Sequence, residues 1–199
     1  MTRKLRIVVV GDELAAGVGD PRALGWVGRV VARTTEVETE HYVLAAPGET
    51  STALSARWER EVEPRLTTDP DVDQRLVVAL GRHDLTAGLS VARSRLNLAN
   101  TLDVAEARHL RTLVVGPPPG SRADDDRLAD LSRAYGDVAQ RRRVPFVETF
   151  TPLVNHDQWH ADLAGRGDDL PQQAGYGLMA WLVLHSGWHR WLGLADPDA

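Results

Sequence analysis

Apolar and polar positions along this chain alternate on two length scales. Short apolar runs recur at Leu5–Val10, Val37–Ala46, Arg75–Leu80, His109–Gly116 and Val144–Glu148. Runs of this length, closed by glycine, proline or polar residues, predict buried strands. Longer amphipathic segments lie between them. In Ala23–Arg33, Leu24, Val27, Val30 and Val31 fall on one helical face. Thr50 or Ser51 can cap a helix that runs to about Val62, and Pro64 ends it. Further helices are predicted over Ala87–Ala107, Ser121–Arg142 and Gln172–Leu192. Thr151–Pro171 reads as loop, and "ADPDA" at the end reads as a frayed tail.

Strands that alternate with helices predict an α/β three-layer sandwich, with a five-stranded, mostly parallel sheet covered by helices on both faces. No linker, repeat or low-complexity tract interrupts residues 1–199, so a single domain is expected. Such sheets bind ligands beyond the carboxyl ends of their strands. The loops that follow the strands are therefore the place to look for chemistry. They read "GDELAAG", "APGETS", "GRHD" and "GPPPG", joined by the stretch before the last helix.

Composition narrows the function classes. The net charge of −5 gives a nucleic-acid partner no electrostatic footprint. The chain has no cysteine, which removes disulfides and thiolate chemistry. Its first apolar run is too short for a signal peptide, and no run is long enough to span a membrane. A cytoplasmic location is expected. "GVGDPRALG" at Gly17–Gly25 lacks the third glycine of a dinucleotide loop, and Pro21 interrupts it.

Taken in order, the loop motifs resemble those of the SGNH (GDSL) hydrolase family, over nearly the whole chain. The first block appears as "GDEL", Gly11–Leu14, and the second as "PGETS", Pro47–Ser51. The third appears as "GRHD", Gly81–Asp84, and the last as "GDDLPQQAGY", Gly167–Tyr176. The resemblance implies an SGNH, flavodoxin-like fold and ester hydrolysis by a serine, a histidine and an aspartate. It also implies an oxyanion site made by a second-block glycine N–H and a third-block asparagine.

Carried over residue by residue, the resemblance puts Glu13 at the serine position and His83 at the asparagine position. Gly48 keeps the oxyanion glycine. With Pro171 as anchor, Leu170 stands at the histidine position and Gly167 at the aspartate position. Asp12 and Asp84 complete the expected oxyanion and pocket residues. A carboxylate at position 13 is expected to fill the oxyanion site itself and to pair with His83. The expected function is thus an SGNH-like protein with a degenerate triad, able to bind a small ligand or an ester. The alternative is an intracellular esterase with a rearranged site built on Glu13 and His83.

Other clusters carry less. His156 and His160 stand at i, i+4 in "NHDQWHAD", with Asp157 or Asp162 as oxygen donors, but no third zinc ligand is evident. Neither metal nor cofactor is assigned. Thr50 and Ser51 are candidate exposed hydroxyls without an adjacent base. The Trp181, Trp188 and Trp191 segment reads as a core helix, with a homodimer interface or a membrane-surface helix as the alternatives.

Overall fold

A computed structural model of the protein describes residues 4–120 and 125–195. Five strands form one sheet: β1 (Lys4–Gly11), β2 (Glu38–Ala45), β3 (Val72–Ala79), β4 (Arg111–Val115) and β5 (Phe146–Val147). Their order is β2-β1-β3-β4-β5, and every pair is parallel. The chain winds outward from β1 to β2, then crosses back to β3 and continues the other way. The strand order therefore reverses between β1 and β3, where a doubly wound sheet opens its ligand crevice. "GDEL" follows β1 and "GRHD" follows β3, so the topology alone brings these two motifs together.

The period-2 pattern of the strands sorts the core into two layers. Leu5, Ile7 and Val9 of β1 and Val77 of β3 face a cluster that holds Trp26, Val30, Tyr176 and Met179. These come from α2 (Gly25–Val31) and α9 (Gln173–Val183). Val8 and Val10, with Leu76 and Val78, face Leu54, Trp58, Leu98, Leu131 and Tyr135. That layer is α3 (Ser51–Val62), α5 (Val91–Ala107) and α6 (Asp125–Arg141). Thr50 caps α3 by accepting a hydrogen bond from the Ala53 amide at 3.1 Å.

Several element boundaries differ from expectation. The helix expected from Ala87 to Ala107 begins later, as α5 at Val91, and a separate short helix, α4 (His83–Thr86), forms in the loop before it. Gly88 at φ +70° ends that first turn, and Ser90 caps α5. A short helix, α1 (Glu13–Ala16), follows β1 directly, with Asp12 as its cap. Thr151–Pro171 is not all loop. It carries part of α7 (Phe150–Leu153) and all of α8 (Asp157–Ala164), which buries Trp159 and Leu163 four residues apart. The last helix is interrupted at Ser186 and Gly187 and resumes as α10 (His189–Leu192). Residues 121–124 of the expected Ser121–Arg142 helix, and 196–199 of the expected tail, lie outside the described residues.

Between α1 and α2 the chain turns back through a segment fixed by Asp20. This carboxylate accepts from the amides of Arg22, Leu24 and Gly25 at 3.1, 3.2 and 2.9 Å, and it pairs with Arg29. The Arg29 hydrogen bonds hold Asp20 down at about 2, against the opposing effect of burial. A carboxylate with a depressed folded-state pKa stabilises the fold above its unfolded pKa near 4 and loses that contribution as pH falls toward 2. The shift corresponds to about 2 kcal/mol at neutral pH. Asp20→Asn is expected to lose about that much in urea unfolding at pH 7. The gap from the parent protein should close between pH 4 and pH 2. A gap that stays constant with pH would show that Asp20 stabilises by shape alone.

Candidate active site

Asp12, Glu13, Gly48 and His83 converge at the crevice between β1 and β3. Glu13 Oε2 accepts a hydrogen bond from the Gly48 amide at 2.8 Å. Glu13 Oε1 lies 2.7 Å from His83 Nε2. Both oxygens of the Glu13 carboxylate are therefore engaged inside the site. Gly48 takes φ +71°, a left-handed conformation that glycine adopts without strain and that presents its N–H toward the crevice. Burial raises the Glu13 carboxyl, but the Gly48 amide and His83 outweigh it, and the net displacement is downward.

Asp12 lies beneath this pair and is 1% exposed. Its Oδ1 accepts from the Leu14 amide at 3.0 Å. Its Oδ2 has no hydrogen-bond partner and lies 3.8 Å from His83 Nε2. Burial, and then the charge of Glu13, push Asp12 up to about 6. A side chain at position 81 would place its Cβ 2.1 Å from Oδ2, so Gly81 is what makes room for this carboxylate.

The crevice is nearly full. It encloses about 20 Å³, lined by Glu13, His83, Pro119, Trp159 and Leu170 among others. That is room for about one water or one ion. Arg82 and Asp169 form an ion pair at the same crevice, joining the third and last loops. Trp159 donates its indole N–H to the Pro119 carbonyl at 3.0 Å, and this fixes the proline loop against α8. A larger hollow of about 490 Å³ lies at the other end of the sheet, near Arg75, Arg111 and Trp191. None of the loop motifs reaches it.

Several candidate residues are engaged elsewhere. Asp84 is not a pocket residue. It is buried, and its carboxylate accepts from the Ser51 amide (2.6 Å), the Ser51 hydroxyl (2.6 Å) and the Tyr135 hydroxyl (2.9 Å). Ser51 is correspondingly no exposed hydroxyl, and Asn97 also donates to it at 3.0 Å. Thr50 serves as the cap of α3. The His156 and His160 pair does not form a ligand set, because His160 Nε2 is bound to the Val154 carbonyl at 2.7 Å. Asp162 instead caps α9, accepting from Gln172 and Gly175 at 2.6 and 2.8 Å. Gly167 has φ +74° and open space around its α-carbon. The sequence reading of a pocket cover with Trp159 packed inward agrees with its place at the crevice, whereas Arg82 and the pairing role of Asp169 were missed as parts of the site. The only available signal was their position in or beside motif loops.

Trp188 and Trp191 are buried, whereas Trp181 is 56% exposed and stacks on His185. Among the described residues no helix is long and apolar enough to cross a membrane.

Comparison with known proteins bears on the family and the fold. Residues 9–178 match the model of the GDSL-like lipase/acylhydrolase family. The chain is 27% identical to the esterase TesA of Pseudomonas aeruginosa over 146 residues, covering 72% of this chain and 70% of that protein. A crystal structure of TesA superposes with a TM-score of 0.75 at 23% identity, over 92% of this chain and 97% of that one. The acetylxylan esterase Axe2 of Geobacillus stearothermophilus gives a TM-score of 0.76 at 18% identity, over 94% and 95%. A match this extensive, on a five-stranded parallel sheet with its motif loops gathered at the β1/β3 crevice, makes the chain a member of the GDSL-like lipase/acylhydrolase family.

Proposed function

We infer that this protein is a GDSL-family member that does not carry out serine acyl transfer. Glu13 stands where the resemblance puts the nucleophile, Leu170 where it puts the base, and Gly167 where it puts the orienting aspartate. The observation that carries the reading is the 2.8 Å bond from the Gly48 amide to Glu13 Oε2. An oxyanion donor works only if it is free to meet the charge that develops on substrate. Here the donor already holds an anion of the protein itself. The residual space of about 20 Å³ also leaves no room for an acyl group beside that carboxylate. What remains is a small polar pocket with room for about one water or one ion.

A second reading draws on the 2.7 Å contact between Glu13 and His83. In it, Glu13 attacks the ester carbon and the alkoxide leaves with a proton from His83. A water deprotonated by His83 then cleaves the resulting anhydride and restores the carboxylate. This path requires Glu13 to give up both of its present partners. Hydrolysis of p-nitrophenyl acetate and butyrate by the purified protein separates the readings. Turnover no faster than buffer is expected. Turnover that vanishes in Glu13→Ala and in His83→Ala would overturn the first reading and establish the second. Turnover that survives both changes would place the chemistry elsewhere in the molecule.

A further inference from the structure

We propose that Asp12, Glu13 and His83 form a binding site for one divalent transition-metal ion of the zinc class. Asp12 Oδ2, Glu13 Oε1 and His83 Nε2 fall within one small cluster, all within 4.8 Å of one another. The inference does not depend on whether esters are hydrolysed, because it concerns occupancy of the site and not turnover.

Three observations carry it. The first is the orphaned oxygen. Asp12 Oδ2 is buried, faces His83 and accepts no hydrogen bond. A buried acceptor left unmet costs about 1–3 kcal/mol. A cation would satisfy it.

The second is how the carboxylates are held. Each has one oxygen fixed by backbone, Asp12 Oδ1 by the Leu14 amide and Glu13 Oε2 by the Gly48 amide. Each therefore turns its other oxygen toward the imidazole. Metal-ligating carboxylates are characteristically oriented by outer hydrogen bonds of this kind.

The third is spacing. Donors bound at about 2.0–2.2 Å in a tetrahedral site lie roughly 3.4 Å apart. His83 Nε2 is 2.7 Å from Glu13 Oε1 and 3.8 Å from Asp12 Oδ2. The first of these separations must open by roughly 0.7 Å and the second close by roughly 0.4 Å, while the third, between the two carboxylate oxygens, is at most 4.8 Å. Rotation of the half-buried Glu13 and His83 side chains supplies such movements. Arg82, a nearby cation, is already tied to Asp169.

The donor set decides the class of ion. One imidazole nitrogen with two carboxylate oxygens suits zinc or manganese, while magnesium and calcium prefer all-oxygen ligands. Three protein donors leave at least one coordination position for water, and the crevice has room for about one.

The test is titration calorimetry of the chelator-stripped, full-length protein with zinc chloride and, separately, manganese chloride. The melting temperature is followed with and without each ion. One equivalent per chain is expected, with a rise in melting temperature. Glu13→Gln and His83→Ala should each weaken binding by more than about 100-fold, beyond the 10–100-fold typical of lost outer-shell partners. Both positions are partly exposed, and melting in chelator checks that the variants fold. No stoichiometric heat with either ion up to millimolar concentration would overturn the proposal. So would binding unchanged in both variants, which would put the ion elsewhere, for instance at His156. Magnesium chloride is titrated in the same way, and magnesium bound as tightly as zinc would overturn the nitrogen ligand. Ester turnover, measured separately, bears on the proposed function alone.

Discussion

Asp84→Ala is expected to destabilise the protein by about 3–5 kcal/mol. For a chain of this length that lowers the melting temperature by roughly 10–15 °C. The Asp84 carboxylate is the common acceptor for the Ser51 amide, the Ser51 hydroxyl and the Tyr135 hydroxyl, all buried. Removing it strands three donors at once where water does not reach. Burial, and then the charge of Asp84, also push the Tyr135 hydroxyl well up, so that it stays a donor at any working pH. Tyr135→Phe removes one donor together with its hydrogen bond, and it should cost only about 1 kcal/mol. Equilibrium urea unfolding of the two variants gives the comparison. Equal losses would refute the three-donor account, as would a loss below about 1 kcal/mol for Asp84→Ala.

The clamp matters for the site as well as for stability. Ser51 begins α3 directly after the Gly48 loop, and Asp84 is next to His83 in α4. Their bond sets the distance between the two loops whose tips, Gly48 and His83, hold Glu13. Asp84→Ala is thus expected to loosen the Glu13 carboxylate without touching it.

The sequence made this site legible in part, for identifiable reasons. Glu13, Gly48 and His83 could be placed because each follows a strand end, and parallel strands deliver their following loops to one edge of the sheet. Asp84 was misplaced because direction is a tertiary property. A carboxylate beside a motif histidine reads as a site residue until Ser51 and Tyr135, 33 and 51 residues away, are seen to claim it. The Arg82–Asp169 pair, 87 residues apart, left no local trace. The helix α8 was overlooked because "NHDQWHADLAG" is mostly polar, although Trp159 and Leu163 carry the i, i+4 signal of a buried stripe. The break in the last helix was hidden for the opposite reason. Its residues are apolar on most faces, so periodicity cannot register an interruption, and only the Ser186–Gly187 pair marks it.

Gly11→Ala is the other substitution with a large expected effect, and it acts on the site through the sheet. Gly11 ends β1, paired with Ala45 on one side and Ala79 on the other. A Cβ there would fall 2.0 Å from the Ala79 carbonyl oxygen and 3.3 Å from the Ala15 side chain. The first of these is backbone and cannot swing away, so β1 and β3 must separate at the end that carries the site. Overpacking of this kind costs about 3 kcal/mol or more. It also moves Asp12, the next residue, away from the space left by Gly81 beside β3. Gly177→Ala is the control, since a Cβ at position 177, within α9, meets nothing within 4 Å. Alanine in a helix interior gains up to about 1 kcal/mol over glycine. The same chemical change should therefore lower the melting temperature at position 11 by roughly 6–12 °C and raise it by roughly 2–4 °C at position 177. Thermal unfolding of the two variants reads both signs at once. A Gly11→Ala protein that melts with the parent would mean that β1 and β3 can part at their carboxyl ends without cost, and the crevice between them would then be far less rigid than its filled geometry implies.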